Sequence, residues 1–239
     1  VELHQFSHSA FCEKVRLILS FKGLDHSLVE VTPGLGQLEL FRLSGQRQVP
    51  VLVDGGEVIA DSTVIALHLE ERHPEPALLP REPRSRARVL LLEDWADTAL
   101  SSGCRQALVQ AAAADPVLRA ALLPETTPAP VRRLVSALPG SVLSPVSEAV
   151  GEVLAPCEGR QLRRSLEQIS ALVEGSAYLE GDRLSLADLA VAAQLTLLRF
   201  PNSAGAPLAG RGVAGIADNP MLEPLFSWRD RILAEAGRA

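Results

Sequence analysis

Three short segments of this chain carry residue types that could do chemistry together. The first is Ser9-Ala10-Phe11-Cys12-Glu13-Lys14, between a strand pattern at Leu3–Phe6 and a helix pattern from about Ala10 to Lys22. In that helix Phe11, Val15, Ile18 and Leu19 recur on one stripe. A Ser and a Cys three apart are thereby placed at a helix N-terminus, where backbone N–H groups lack partners and the dipole is positive. Such a place stabilises a thiolate or another anion. The second segment is Gln48-Val49-Pro50-Val51-Leu52. A proline there is awkward for a sheet centre, because it has no N–H. A cis bond would turn the Val49 backbone toward something other than the sheet, but X-Pro bonds are cis in only ~5% of cases, so these residues by themselves do not call for one. The third segment is Ala60-Asp61-Ser62-Thr63, just ahead of a helix. It reads as a plain N-cap, or as a helix terminus that grips a ligand carboxylate through its N–H groups and the Ser62 hydroxyl while Asp61 takes an ammonium. Those two ligand groups occur together on an α-amino acid.

These segments need elements to hold them. Strand patterns lie at Leu3–Phe6, Ser27–Val31, Val51–Val53 and Glu57–Ile59, and Asp54-Gly55-Gly56 is a hairpin signal between the last two. Helix patterns lie at Ala10–Lys22, near Gln37–Leu43 and at Ser62–Arg72. The order β-α-β-α-β-β-α predicts a mixed sheet of four strands with helices on its faces. Residues 73–84 hold four prolines and read as an inter-domain linker. Beyond it only helices are expected. They are Arg86–Ala114 (weakened or bent at Gly103), short broken pieces over 115–157, where seven prolines fall, then Arg160–Glu174, Leu186–Arg199 and about Glu223–Ala236.

Composition narrows the function classes. A net charge of −6 argues against a general nucleic-acid binder. Cys12, Cys104 and Cys157 are an odd, widely spaced set, which suits reduced thiols in a cytosolic protein better than a disulfide framework. No apolar run reaches the ~18 residues of a membrane span. The N-terminus has no basic segment followed by an apolar stretch, so no signal peptide is expected. His4, His26, His68 and His73 have no partners at metal-ligand spacing, and no metal site is expected.

Ser-Ala-Phe-Cys-Glu-Lys-Val-Arg, followed by Gln-Val-Pro-Val-Leu-Val-Asp-Gly-Gly and Ala-Asp-Ser-Thr-Val-Ile, resembles the thioredoxin-like domain of glutathione transferases. Leu184-Ser185-Leu186-Ala187-Asp188 looks like the buried capping box of their helical domain. The opening Gln-Phe-Ser-His-Ser-Ala-Phe-Cys looks most like the cyanobacterial, chi-class members. The resemblance implies a thioredoxin-like α/β domain over residues 1–79 and an all-α domain over 85–239. It implies no bound cofactor, with reduced glutathione as co-substrate. Val49 would pair its backbone with the cysteinyl part beside cis Pro50, Gln48 would lie near the glycyl carboxylate, and Asp61 and Ser62 would hold the γ-glutamyl end.

For the activating group the resemblance implies Ser9. The family's usual tyrosine is missing from the first strand's end, and the position that carries Cys in redox-type relatives is Ser9 here. Ser7 and His8 are close rivals. Cys12 matches the second cysteine of redox motifs but is expected to face the sheet as core. The implied activity is conjugation of glutathione to small hydrophobic electrophiles by a cytosolic homodimer, acting on neither nucleic acid nor membrane. The electrophile pocket is expected between the domains, walled by Phe6–Ala10, Arg88–Trp95 and the region of Phe226 and Trp228. Two alternatives stand beside it: a glutathione-dependent thiol or peroxide reductase, and a non-catalytic binding module. The chain departs from its relatives at Leu43-Ser44-Gly45-Gln46-Arg47, where they show Asn-Pro-x-Gly, and at Asp61, where glutamate is common.

Overall fold

The computed structural model describes residues 1–32, 35–123, 127, 129–137 and 158–237. Cys157 and the later part of the proline-rich stretch over 115–157 lie outside the described residues. The first elements are β1 Glu2–Gln5, α1 Ala10–Phe21, β2 Ser27–Glu30, α2 Leu35–Ser44, β3 Val51–Asp54, β4 Glu57–Ala60 and α3 Ser62–Arg72. The sheet order is β2-β1-β3-β4, with β1 and β2 parallel and both other pairs antiparallel. This is the expected mixed four-stranded sheet. Gly55 and Gly56 turn the β3–β4 hairpin at φ 60° and 91°, which side chains with a Cβ rarely adopt. Leu3, Val15, Ile18, Leu19, Val51, Leu52, Ile65 and Leu69 are fully buried and join the sheet to α1 and α3.

The remaining helices are α4 Pro83–Trp95, α5 Ser101–Ala114, α6 Pro116–Ala121, α7 Ala129–Ala137, α8 Glu158–Val173, α9 Leu186–Leu195 and α10 Glu223–Glu235. Among the described residues no helix is long and apolar enough to cross a membrane. The chain divides into two compact units. One comprises Val1–Asp94, Ala177–Ala193 and Arg231–Ala239; the other comprises Trp95–Ser176 and Gln194–Asp230.

Three expectations about the helices are corrected. The helix read over Arg86–Ala114 is interrupted at Ala96–Leu100, where the chain takes π-helical turns, and not at Gly103. Gly103 lies inside α5 for a different reason. A Cβ there would come within 3.2 Å of the Leu162 Cβ, so its missing side chain lets α5 approach α8. Third, α9 stops at Leu195, short of Arg199. The Leu195 carbonyl accepts the N–H groups of Leu198 (3.2 Å) and Arg199 (3.3 Å), and the buried Arg229 guanidinium donates to it (3.4 Å) and to the Arg199 carbonyl.

The proline-rich stretch after α3 is tied down at several points. Lys22 Nζ donates to Glu70 Oε2 (2.7 Å) and to the carbonyls of His73 (2.6 Å) and Pro76 (3.0 Å). The Glu70 carboxylate also accepts the Leu78 and Leu79 N–H groups at 3.0 Å, and Leu78 O accepts from Leu186 N at 2.9 Å. Of the expected capping box, the bond from Asp188 back to Ser185 is present. Asp188, fully buried, accepts the Ser185 N–H (2.8 Å) and hydroxyl (2.7 Å), and its other oxygen accepts the Leu179 N–H (2.8 Å). Burial pushes this carboxyl up, and the same hydrogen bonds oppose the shift.

Candidate active site

The sheet register brings the three sequence segments to one place. His4 pairs with Val51, and Val51 pairs with Ala60. Continuing by one position sets the exit of β1, the Val49–Pro50 entry to β3 and the Asp61–Ser62 exit of β4 side by side at one end of the sheet. The helices that follow β1 and β4, α1 and α3, both start there. Two positive helix termini at one sheet end make a place for anionic groups.

At the first terminus the chain leaves β1 in a tight turn closed by Ser9 N–H to Phe6 O at 3.0 Å. Ser9 is the N-cap of α1, and its Oγ accepts the Cys12 N–H at 3.4 Å. The Ser9 side chain is half-buried. A thiolate delivered to this turn would be a strong acceptor for the Ser9 hydroxyl hydrogen. Cys12 itself is wholly buried and receives the Phe6 N–H at 3.5 Å on Sγ. Burial pushes its thiol up, which keeps it protonated and unreactive. That agrees with the core role expected of it. Of the rivals, Ser7 donates its N–H (2.8 Å) and hydroxyl (3.0 Å) to Glu30 Oε1, while His8 packs edge-on against Phe6 at 5.7 Å.

At the second segment the Val49–Pro50 bond is cis, as expected. The β3 ladder begins at Val51, so Val49 lies outside the sheet's pairing. Gln48 is exposed, and its carbonyl accepts from Gln46 Nε2 at 3.2 Å. At the third, Asp61 caps α3 through Oδ1, which accepts the N–H groups of Thr63 (2.8 Å) and Val64 (3.1 Å), and Oδ2 takes no part in that cap. The Asp61 backbone sits at φ 77°, a conformation that costs a non-glycine residue on the order of 1–3 kcal/mol and recurs at ligand clamps. Ser62 is buried, at 3% exposure.

Two polar networks beneath this end of the sheet were not anticipated from sequence. Lys14 Nζ, fully buried, donates to Glu93 Oε1 (2.6 Å) and Thr63 Oγ1 (3.3 Å), and the Thr63 hydroxyl donates to the same Glu93 oxygen (2.6 Å). This triad joins α1, the first turn of α3 and α4. Arg16, also buried, holds Glu13, Gln5 and the Ser7 carbonyl. The available signal was the set of charged residues 13, 14 and 16 within an otherwise apolar helix. Of the aromatic residues expected to wall the electrophile pocket, Phe226 and Trp228 are buried, and the Phe226 ring carries the Arg199 and Arg229 guanidinium groups at 4.1 and 5.2 Å.

The sequence matches the glutathione S-transferase N-terminal domain over residues 3–77 and the glutathione S-transferase C-terminal domain over 142–207. The chain belongs to the glutathione S-transferase family. Glutathione S-transferase 1 of Dianthus caryophyllus is 29% identical over 232 residues, 94% of this chain and 85% of its own length. Glutathione S-transferase Z1 of Arabidopsis thaliana is 37% identical over 90 residues, 36% of this chain and 41% of that protein. Several other curated relatives likewise align over only about two fifths of their length. A crystal structure of a glutathione S-transferase from Rhodospirillum rubrum shares the fold at a TM-score of 0.66 and 24% identity, covering 98% of this chain and 87% of that one. In this glutathione S-transferase family member the fold carries the expected two parts, a mixed-sheet thioredoxin-like part and a helical part.

Proposed function

We propose that this chain conjugates the thiolate of reduced glutathione to small hydrophobic electrophiles. The observation that carries the reading is the meeting of two helix N-termini, the Ser9 hydroxyl and the Val49–Pro50 turn at one end of the sheet. In this reading residues 1–79 hold glutathione and residues 85–239 line the electrophile site. The Val49 backbone pairs with the cysteinyl unit and Gln48 approaches the glycyl carboxylate. The α3 terminus at Ser62 receives the γ-glutamyl carboxylate, and Asp61 Oδ2 takes the ammonium. Ser9 donates its hydroxyl hydrogen to the sulfur. The thiol proton leaves to solvent and the thiolate attacks an electrophilic carbon to form a C–S bond; at an aryl halide the halide departs with its electron pair, and at an isothiocyanate the C=N π pair moves to nitrogen, which takes a proton from water. No tightly bound cofactor enters this scheme.

The test is calorimetric titration with reduced glutathione, followed by turnover on aryl halides, isothiocyanates and hydroperoxides. Binding with conjugation of the first two classes is expected. Peroxide turnover alone would point to the reductase reading, binding without turnover to a binding module, and no binding would overturn the site. The reductase reading is disfavoured by Ser9 at the redox position and by the buried, protonated Cys12 thiol. The chi-class likeness rests on the opening residues alone, and one matched relative bears a zeta-class name.

We also propose a cytosolic homodimer. Val64 and Leu67 on α3 and Leu91 on α4 expose apolar side chains at 53%, 38% and 69%. Sedimentation at micromolar concentration should give twice the mass of one chain, and a single-chain mass would count against pairing.

A further inference from the structure

We infer that Arg16 and Glu30 are positioning residues that aim the Ser9 hydroxyl by clamping the Phe6–Ser9 turn from two sides. The inference rests on the reading of Ser9 as thiolate donor. The turn has four residues, and Ser7 lies at its second position, two residues before Ser9. Three polar groups of Ser7 are held. Its carbonyl accepts from Arg16 Nη2 at 3.0 Å, and its N–H and hydroxyl donate to Glu30 Oε1 at 2.8 and 3.0 Å. The clamp closes on itself through Gln5. Arg16 Nη1 donates to Gln5 Oε1, and Gln5 Nε2 donates to Glu30 Oε2 at 3.2 Å. Gln5 and Glu30 are direct partners in the β1–β2 register. The ring of bonds Arg16–Gln5–Glu30–Ser7 thus spans the last residue of β1, the end of β2, one face of α1 and the turn that carries Ser9.

A purely structural Arg16 would need only Glu13, which meets its Nε at 2.7 Å. Glu13 Oε2 also takes an Nη2 hydrogen, and the fork's further bonds go to the Ser7 carbonyl and to Gln5, the residue that braces the turn. Arg16 is 4% exposed, so the fork has little water to compete with it. A turn fixed at its N–H, carbonyl and side chain leaves the next-but-one residue little backbone freedom. Catalysis by a single hydroxyl depends on that rigidity, since a misplacement of about 1 Å can cost roughly 100-fold in rate.

Glu30 gives the clean test, because it is exposed and its removal opens no core. With aryl-halide conjugation as the assay, Glu30→Ala should lower kcat by about 10- to 100-fold while the glutathione KM stays within about threefold. Glu30→Gln, which keeps an acceptor for Ser7, should recover part of the loss. Arg16→Lys keeps the charge but loses the fork, and should resemble Glu30→Ala. The pH profile separates aim from charge. Removing a carboxylate would by charge alone favour the thiolate and move the profile to lower pH, whereas a mis-aimed donor moves it to higher pH. In a Ser9→Ala background Glu30→Ala should cost nothing further, because the hydroxyl it aims is gone.

Undiminished kcat in Glu30→Ala, a profile moved to lower pH, or an equal loss in both backgrounds would each overturn the clamp while leaving the Ser9 reading intact. A silent Ser9→Ala would overturn that reading first, and the clamp with it.

Discussion

Ser9→Ala is expected to lower kcat for conjugation by about 10- to 1000-fold and to change glutathione affinity much less. The cradle at Val49 and at the α3 terminus does not use the Ser9 side chain, so binding survives. What is lost is one donor aimed at the sulfur. Bringing a thiol with a pKa near 9 down by ~2 units takes roughly 3 kcal/mol, shared between this hydroxyl and the α1 terminus. Without the hydroxyl the thiolate forms only at higher pH, and the pH–rate profile should move that way. The substitution also removes an N-cap, which costs about 1 kcal/mol of stability. Ser9→Asp separates the two effects, since a carboxylate caps the Cys12 N–H but has no hydrogen to give a thiolate. It should regain the melting temperature and stay slow. Cys12→Ala should keep conjugation within a few-fold, its thiol being buried and protonated. A silent Ser9→Ala beside a folded but inactive Cys12→Ala would move the chain to the thiol-redox reading.

Lys14→Met should be among the most damaging substitutions to stability in the first unit. It leaves Glu93, 2% exposed, beside the Thr63 hydroxyl and without its counter-charge from α1. Breaking a buried pair from one side costs about 3–5 kcal/mol. At roughly 2–4 °C per kcal/mol for a chain of this size, the melting temperature should fall by about 6–20 °C. The paired change Lys14→Met with Glu93→Leu should return most of that, because no charge is left stranded. Equilibrium urea unfolding of parent, singles and double gives the coupling directly. A single variant melting within about 2 °C of the parent would mean that the pair contributes no net stability.

The strands and α3 were legible because their signals are local. The Gly55-Gly56 turn, the alternation on either side of it and the Asp61 cap fix β3, β4 and Ser62–Arg72 without reference to the rest of the chain. The cis Val49–Pro50 bond and the roles assigned to the site came from family resemblance, since neither period nor composition distinguishes a cap from a ligand cradle. The largest miss was α1. A stripe of Phe11, Val15, Ile18 and Leu19 predicts one buried face, yet Glu13, Lys14 and Arg16 are buried as well. Their partners Thr63 and Glu93 are 49 and 79 residues further on in the pairs with Lys14, and no helical period reports that. The π-helical turns at Ala96–Leu100 escaped for a similar reason, and Gly103 drew the attention instead because glycine is the visible helix breaker. Gly103 answers to Leu162, a neighbour in space and not in sequence.

The first compact unit is assembled from three stretches of chain, and its last contribution begins at Arg231. Tyr178 Oη meets Glu235 Oε1 at 2.9 Å, and Leu186 N meets Leu78 O at 2.9 Å, both inside that unit. A ribosome making this protein therefore exposes the whole sheet, and the glutathione cradle with it, long before the unit can close. During that interval the nascent chain holds residues 1–94 without the segments that complete their core, and folding that proceeds domain by domain from the N-terminus has to wait. A release experiment with chains stalled at different lengths should show protease resistance of the sheet region appearing only once residues near 235 have cleared the exit tunnel.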